Sequence, residues 1–333
     1  MTSPNLSLAK SRRSGHAVAT ALLIAFAGCG GGDEEKSAPT SGGSGAGSGT
    51  TTIEIGGSST VFRISNVARE EYESINENVH VIVKSNGTGP GFSQYLKNEL
   101  DIVDASRLAK PEEEEKSKEQ GIEWTRFLIG YDGIAVVVNK KNTFVKELSV
   151  ADLKRLFEPD SKVNTWKDLN PTWPDKKIII YTPDKESGTF EYFTEAINGK
   201  ARAQRKDVQP STDDNILVTG VKGDEFGLGY FGYAYYAANA GELRAVPIKA
   251  KDDATAIEPT PDTILKKTYT PLARPLYIYV KNKSLRRPEV AAFVKFYLEN
   301  APKLAKRAKY VAPTAEDQAE NLKLLAGNAG PKG

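Results

Sequence analysis

Histidine and cysteine are nearly absent from this chain, which holds His16, His80 and the single cysteine Cys29 among its 333 residues. One cysteine excludes an intramolecular disulfide framework, and so few imidazoles and thiols exclude a Cys/His zinc cluster. A surplus of charge is missing too. Forty-five Lys and Arg against 43 Asp and Glu leave a formal net charge of +2, so no overall field favours nucleic acid or an anionic membrane, and any charge selectivity must be local. There is no G-x-x-x-x-G-K-[ST] loop, which removes the basis for nucleoside triphosphate hydrolysis, and no G-x-S-x-G elbow. A serine nucleophile in the body of the chain has no obvious histidine partner, and neither a metal nor a cofactor is expected.

At 39% hydrophobic the chain can bury a sizeable core. Lys10, Arg12 and Arg13 precede an apolar run from Ala17 to Ala27, too short for an ordinary transmembrane helix and suited to a secretion signal. The run closes on "AFAGC", which resembles a bacterial lipoprotein signal with Cys29 as the lipidated residue. A plain secretory signal or a buried thiol is the alternative. Residues 1–29 are thus expected to be a signal segment. Residues 30–52, rich in Gly and Ser, cannot pack a core and are expected to be a flexible tether. The expected address is periplasmic or otherwise extracytoplasmic.

From Ile53 onward, short β-like runs alternate with segments of helical period. "VHVIV" (79–83), "GIAVVVN" (133–139), "KIIIY" (177–181) and "PLYIYV" (275–280) predict strands. Helices are predicted over 60–75, with Ser58 or Ser59 as N-cap, and over 149–157, 189–197 and 288–301. The interleaving predicts an α/β fold. Glu112 to Glu115, after Pro111, read as the solvated first turn of a helix, and His80 as a strand residue. "GLGYFG" (227–232) matches a dinucleotide fingerprint in letters, but it follows the charged "KGDEF" and reads as a tight turn into a short strand. The tail, 326–333, is expected to fray.

Three segments share one design: "GGSSTVF" (56–62), "SNGTGPGF" (85–92) and "ESGTF" (186–190) each place small hydroxyl and glycine residues just before a helix. Each combines unpaired backbone N–H groups at a helix N-terminus with Ser or Thr hydroxyls and no bulky side chain in the way. One such turn is ordinary capping. Three in one chain point to anion binding. Hydrogen bonds to a charged group contribute roughly 1.5–3 kcal/mol each, so a handful can reach the ~8 kcal/mol of micromolar affinity.

The ordered set "GSSTVF", "SNGTGPGF", "DIVDASR", "ESGTFEYF" and "GLGYFGYAYY" resembles the PstS family, the phosphate-binding proteins of bacterial phosphate ABC transporters, over roughly 53–323. The resemblance implies a two-lobed periplasmic binding protein fold, with the anion in the cleft and two hinge crossings. Crossings near Ile134–Asn139 and Tyr269–Pro275 would make lobe one 53–135 plus 270–325 and lobe two 136–269. It also implies a monomer that captures inorganic phosphate and passes it to permease subunits without catalysis, with no nucleic acid among its partners. Sulfate or another oxyanion as ligand, a secreted phosphoryl-handling enzyme and a non-transporting sensor or adhesion module of the same two-lobed fold are the alternatives.

By the same resemblance, Ser59, Thr60 and Val61 form the first anion-binding turn, Thr88 the second, and Ser187, Gly188 and Thr189 the third. Ser106 and Arg107 fall where an enterobacterial relative has Ser-Asp, the Asp accepting the anion's proton. Pro183 stands where many relatives carry an anion-binding Arg. The two departures suggest that Arg107 supplies the cation and that Asp213 or Asp214, at the head of "DNILVTGV", supplies the acceptor or merely caps that helix. Lys185 reads as a solvated turn residue.

Overall fold

The computed structural model describes residues 51–328; the signal, Cys29, most of the tether and the last five residues lie outside them. The described residues open on β1 (Thr51–Gly57), which takes up the last two residues of the expected tether. Gly57 ends the strand at φ 137°, and a Cβ there would lie 2.2 Å from the Asp104 carbonyl oxygen, so only glycine allows the turn into α1 (Ser59–Glu73). Ser58 is the N-cap, and the buried Ile64, Ala68 and Tyr72 recur at helical spacing along one face. Then follow β2 (Val79–Ser85), α2 (Thr88–Leu96), β3 (Ile102–Ala105) and α3 (Pro111–Glu119).

The strand expected over 133–139 is the second half of a much longer one, β4 (Trp124–Asn139). Its first half escapes a pattern search because Arg126, Gly130 and Asp132 interrupt the apolar run. After β4 come β5 (Leu148–Ser149), α4 (Val150–Phe157), α5 (Trp166–Leu169), β6 (Ile179–Pro183), α6 (Gly188–Asn198), β7 (Gln209–Ser211) and α7 (Asp214–Gly223). The segment 227–232 is no tight turn: all of it is β8 (Gly227–Gly232), lying between β4 and β6 and almost wholly buried. Its glycines let Tyr181 and Val221 pack close against the strand. The remainder is α8 (Tyr233–Ala238), β9 (Leu243–Ala245), β10 (Ile248–Lys249), α9 (Pro261–Leu265), β11 (Ala273–Lys281), α10 (Asn282–Leu285), α11 (Pro288–Arg307) and α12 (Ala315–Asn328). Helix α12 covers the first three residues of the expected tail.

The main sheet runs β2-β1-β3-β11-β4-β8-β6-β7, with β9 also on β4. Strands β1, β2 and β3 are parallel, as are β6, β7 and β8, while β11 and β4 run antiparallel to their neighbours. The long β4 joins the two halves. Residues 124–133 pair with β11, and 134–138 pair with β8. Each half has its own cores: Ile53, Ile64, Ile278 and Phe293 belong to one, and Val136, Phe157, Phe193 and Tyr230 to another. The Phe193 and Tyr230 rings stack at 3.7 Å. Parallel strands that feed helices leave the helix N-termini at one edge of each half-sheet, where ligands collect in open α/β folds.

Candidate functional site

All three hydroxyl-glycine turns open into one cavity of about 560 Å³. At the first, the Ser58 hydroxyl accepts long bonds from the Thr60 and Val61 N–H groups, at 3.3 and 3.4 Å. At the second, no side chain caps the N-terminus of α2, and Thr88 Oγ1 lies 3.2 Å from Ser106 Oγ. At the third, Ser187 Oγ accepts from the Thr189 N–H at 3.2 Å. The first and third turns nearly touch, because a Cβ on Gly188 would fall 2.6 Å from Thr60 Oγ1 and 2.8 Å from Ser59 Oγ. Three positive helix ends therefore share one small space.

The cation at their centre is Arg274 on β11, whose side chain is 11% exposed. Its Nη1 donates to Ser106 Oγ at 3.0 Å and its Nη2 to Thr60 Oγ1 at 2.7 Å, with the Gly188 carbonyl at 3.5 Å. Asp132 Oδ2 accepts from its Nε and Nη2, and the Tyr192 ring lies 3.6 Å from its Cζ. Tyr192 in turn donates to the Pro271 carbonyl. Asp132 is fully buried; burial pushes its pKa up, while Arg274 and, more weakly, Arg63 pull it back down. One rigid arginine thus bonds the first and third turns directly and reaches the second through Ser106, whose hydroxyl meets Thr88.

Of the residues expected at the site, Ser59, Thr60, Thr88, Ser106, Arg107 and Gly188 lie on the cavity wall. Val61, Ser187 and Thr189 stand behind it: the Val61 side chain is in the core, Ser187 caps α6, and Thr189 is buried in the first turn of α6. Asp213 and Asp214 are not brought to the wall. Asp213 caps α7, its Oδ1 accepting from the Asn215 N–H at 2.9 Å. Asp214 is buried beside it, its pKa pushed up to about 6 by burial against the pull of Arg63. Arg107 reaches the wall already committed, since Nη1 and Nη2 each donate to Glu113 at 2.8 Å and its Cζ lies 5.5 Å over Phe92. Glu113 is accordingly no solvated member of the acidic run: it pairs with Arg107 and accepts from the Lys110 N–H at 2.7 Å. Lys185 is exposed and off the wall.

Sequence reasoning missed Arg274, Asp132 and Glu191. The faint signal was an ionisable residue inside each of two apolar strands, Asp132 in "GYDGIAVVV" and Arg274 in "LARPLYIYV". These are cross-strand partners in the β4–β11 pair. A charge in a buried strand calls for a partner.

Residues 42–301 match the model of the PBP superfamily domain. The phosphate-binding protein PstS of Staphylococcus haemolyticus is 39% identical over 270 residues, 81% of this chain and 83% of that protein. Protein SphX of Synechococcus elongatus is 40% identical over 257 residues, 77% of this chain and 75% of its own. The crystal structure of a possible phosphate binding protein from Planctomyces limnophilus is similar at a TM-score of 0.82 and 42% identity, covering 85% of this chain and all of that one.

Proposed function

Because this chain belongs to the PBP superfamily and, within it, to the PstS family of two-lobed solute-binding proteins, we propose that it captures inorganic phosphate outside the cytoplasm and delivers it to an ABC permease. The observation that carries this reading is Arg274, held by Asp132 and fanned across Thr60, Ser106 and Gly188 at the meeting point of three helix N-termini. A doubly charged tetrahedral oxyanion needs converging donors and a fixed positive charge, and this arrangement supplies both.

The anion-binding set on this reading is Ser59, Thr60, Thr88, Ser106, Gly188 and Arg274, with the Val61 and Thr189 N–H groups as backbone donors. The lobes on this reading are 53–135 with 270–325 and 136–269, a boundary within two residues of the point where β4 changes partner from β11 to β8. The chain crosses at the Gly133–Ile134 step of β4 and again just before β11. Closure brings Gly188 onto Thr60. Cys29 carries a lipid, residues 30–50 act as the leash, and the protein works as a monomer.

Calorimetric titration of the purified chain with phosphate and with sulfate tests the function. The expected result is phosphate binding at micromolar affinity or tighter, with sulfate much weaker. A preference for sulfate shifts the reading to another oxyanion, and binding of neither overturns it. Cys29→Ala is expected to free the protein from the membrane fraction, and retention there would remove the lipid anchor.

A further inference from the structure

Two carboxylates among the described residues lie on the wall of a cavity otherwise dressed in donors, Glu191 and Glu195, both on α6. They are not equivalent. Glu195 is exposed and lies one turn farther along the helix, on the side of Arg107. Glu191 is in the first turn of α6, with its side chain three-quarters buried, and reaches both of the other turns. Its Oε2 accepts from Ser59 Oγ at 3.5 Å and from Arg202 Nη2 at 2.9 Å. Its Oε1 is turned to the second turn, 3.6 Å from where a Cβ of Gly87 would sit.

The other carboxyls near the site are off the wall and engaged elsewhere. Asp132 is bound to Arg274, and Asp104 accepts from Ser65 at 2.8 Å on the far side of β3. Asp213 and Asp214 are engaged at the head of α7.

We infer that Glu191 is the acceptor that makes the site select a protonated oxyanion, monohydrogen phosphate, over a fully ionised one such as sulfate. This rests on the phosphate reading above. A carboxylate set among helix N-termini repels any bound anion unless that anion brings a proton to share. Monohydrogen phosphate has one O–H to donate, and sulfate at neutral pH has none. Arg202 engages Oε2 at 2.9 Å, which leaves Oε1 presented to the cleft beside Gly87.

The test is a competition titration of phosphate and sulfate on the full-length protein, Glu191→Gln and Arg202→Gln. Glu191→Gln is expected to lower the phosphate-to-sulfate affinity ratio at least tenfold, chiefly by admitting sulfate, whereas Arg202→Gln preserves most of the ratio. An unchanged ratio in Glu191→Gln overturns the inference, as does tighter binding of both anions in equal measure, which would mark Glu191 as a competitor of the ligand. An equal loss of ratio in Arg202→Gln would mark the ion pair as structural and also overturn it. If Glu191→Gln does not fold, Glu191→Asp, which withdraws the carboxylate by one methylene, is expected to lower the ratio, and an unchanged ratio there overturns the inference. Wild-type protein that binds no phosphate removes the underlying function as well, a result distinct from selective binding that ignores Glu191.

Discussion

Asp132 on β4 and Arg274 on β11 face each other as cross-strand partners, and the carboxylate accepts from both Nε and Nη2 of the guanidinium, at 3.3 and 3.2 Å. The pair sits at the step where β4 changes partner from β11 to β8, so its geometry is fixed by the sheet. Arg274→Met is expected to abolish measurable phosphate binding and also to destabilise the fold by about 3–5 kcal/mol, because Asp132 is left buried without its cation. The double variant Arg274→Met with Asp132→Leu is expected to recover most of the stability and none of the binding. Denaturant melts and calorimetry on the same preparations separate the two roles. Recovery of binding in the double variant would show that Arg274 acts only on the fold.

Gly188 faces Thr60 and Ser59 across the cleft with no room for a side chain. Gly188→Val should weaken phosphate binding at least a hundredfold, because the first and third turns can no longer close on one anion. Its melting temperature should change by only a few degrees, since the added side chain clashes only with the facing turn at Ser59 and Thr60, and opening of the cleft relieves the clash. Wild-type affinity in a folded Gly188→Val protein would contradict this geometry.

Arg107, Asp213 and Asp214 provide a contrast. Asp213→Ala should cost about 1 kcal/mol of stability through the lost cap of α7, and both Asp213→Ala and Asp214→Asn should leave the phosphate-to-sulfate ratio unchanged. Arg107→Ala should weaken binding only a fewfold, because its guanidinium is held by Glu113. A large change of selectivity in either Asp variant would restore the acceptor role that their place in the sequence suggested.

Stability should also depend on pH through Asp104. This carboxyl is fully buried, hydrogen-bonded only by Ser65, and burial pushes its pKa from 3.8 up to about 8. The folded state therefore holds the proton more tightly than the unfolded chain. Stability is unaffected by this group below about pH 4 and falls as pH rises towards about 8. Asp104→Asn removes the slope, so its advantage over wild type should grow by at most about 4 kcal/mol between pH 5 and pH 8. Denaturant midpoints at the two pH values measure it, and a pH-independent difference would contradict the assignment.

The sequence by itself determined the α/β class, the helices after Ser58 and Ser187 and the three hydroxyl-glycine turns. These depend on contacts within a few residues: an N-cap bonds two or three positions ahead, and amphipathic spacing repeats every turn. The family motifs further tied the turns to one another, although they are separated by long stretches of chain. What only the tertiary structure decided is which charges meet them. Arg274 and Asp132 are 142 positions apart and become partners through the β-sheet register, while Glu191 reaches Ser59 across 132 positions through the apposition of the sheet halves. Arg107, nearer in sequence to the second turn, is drawn to Glu113 six positions away because α3 starts beside it. A single sequence records that a charge lies in a buried strand, but not which strand lies next to it, because strand order and register are set by the packing of whole sheets.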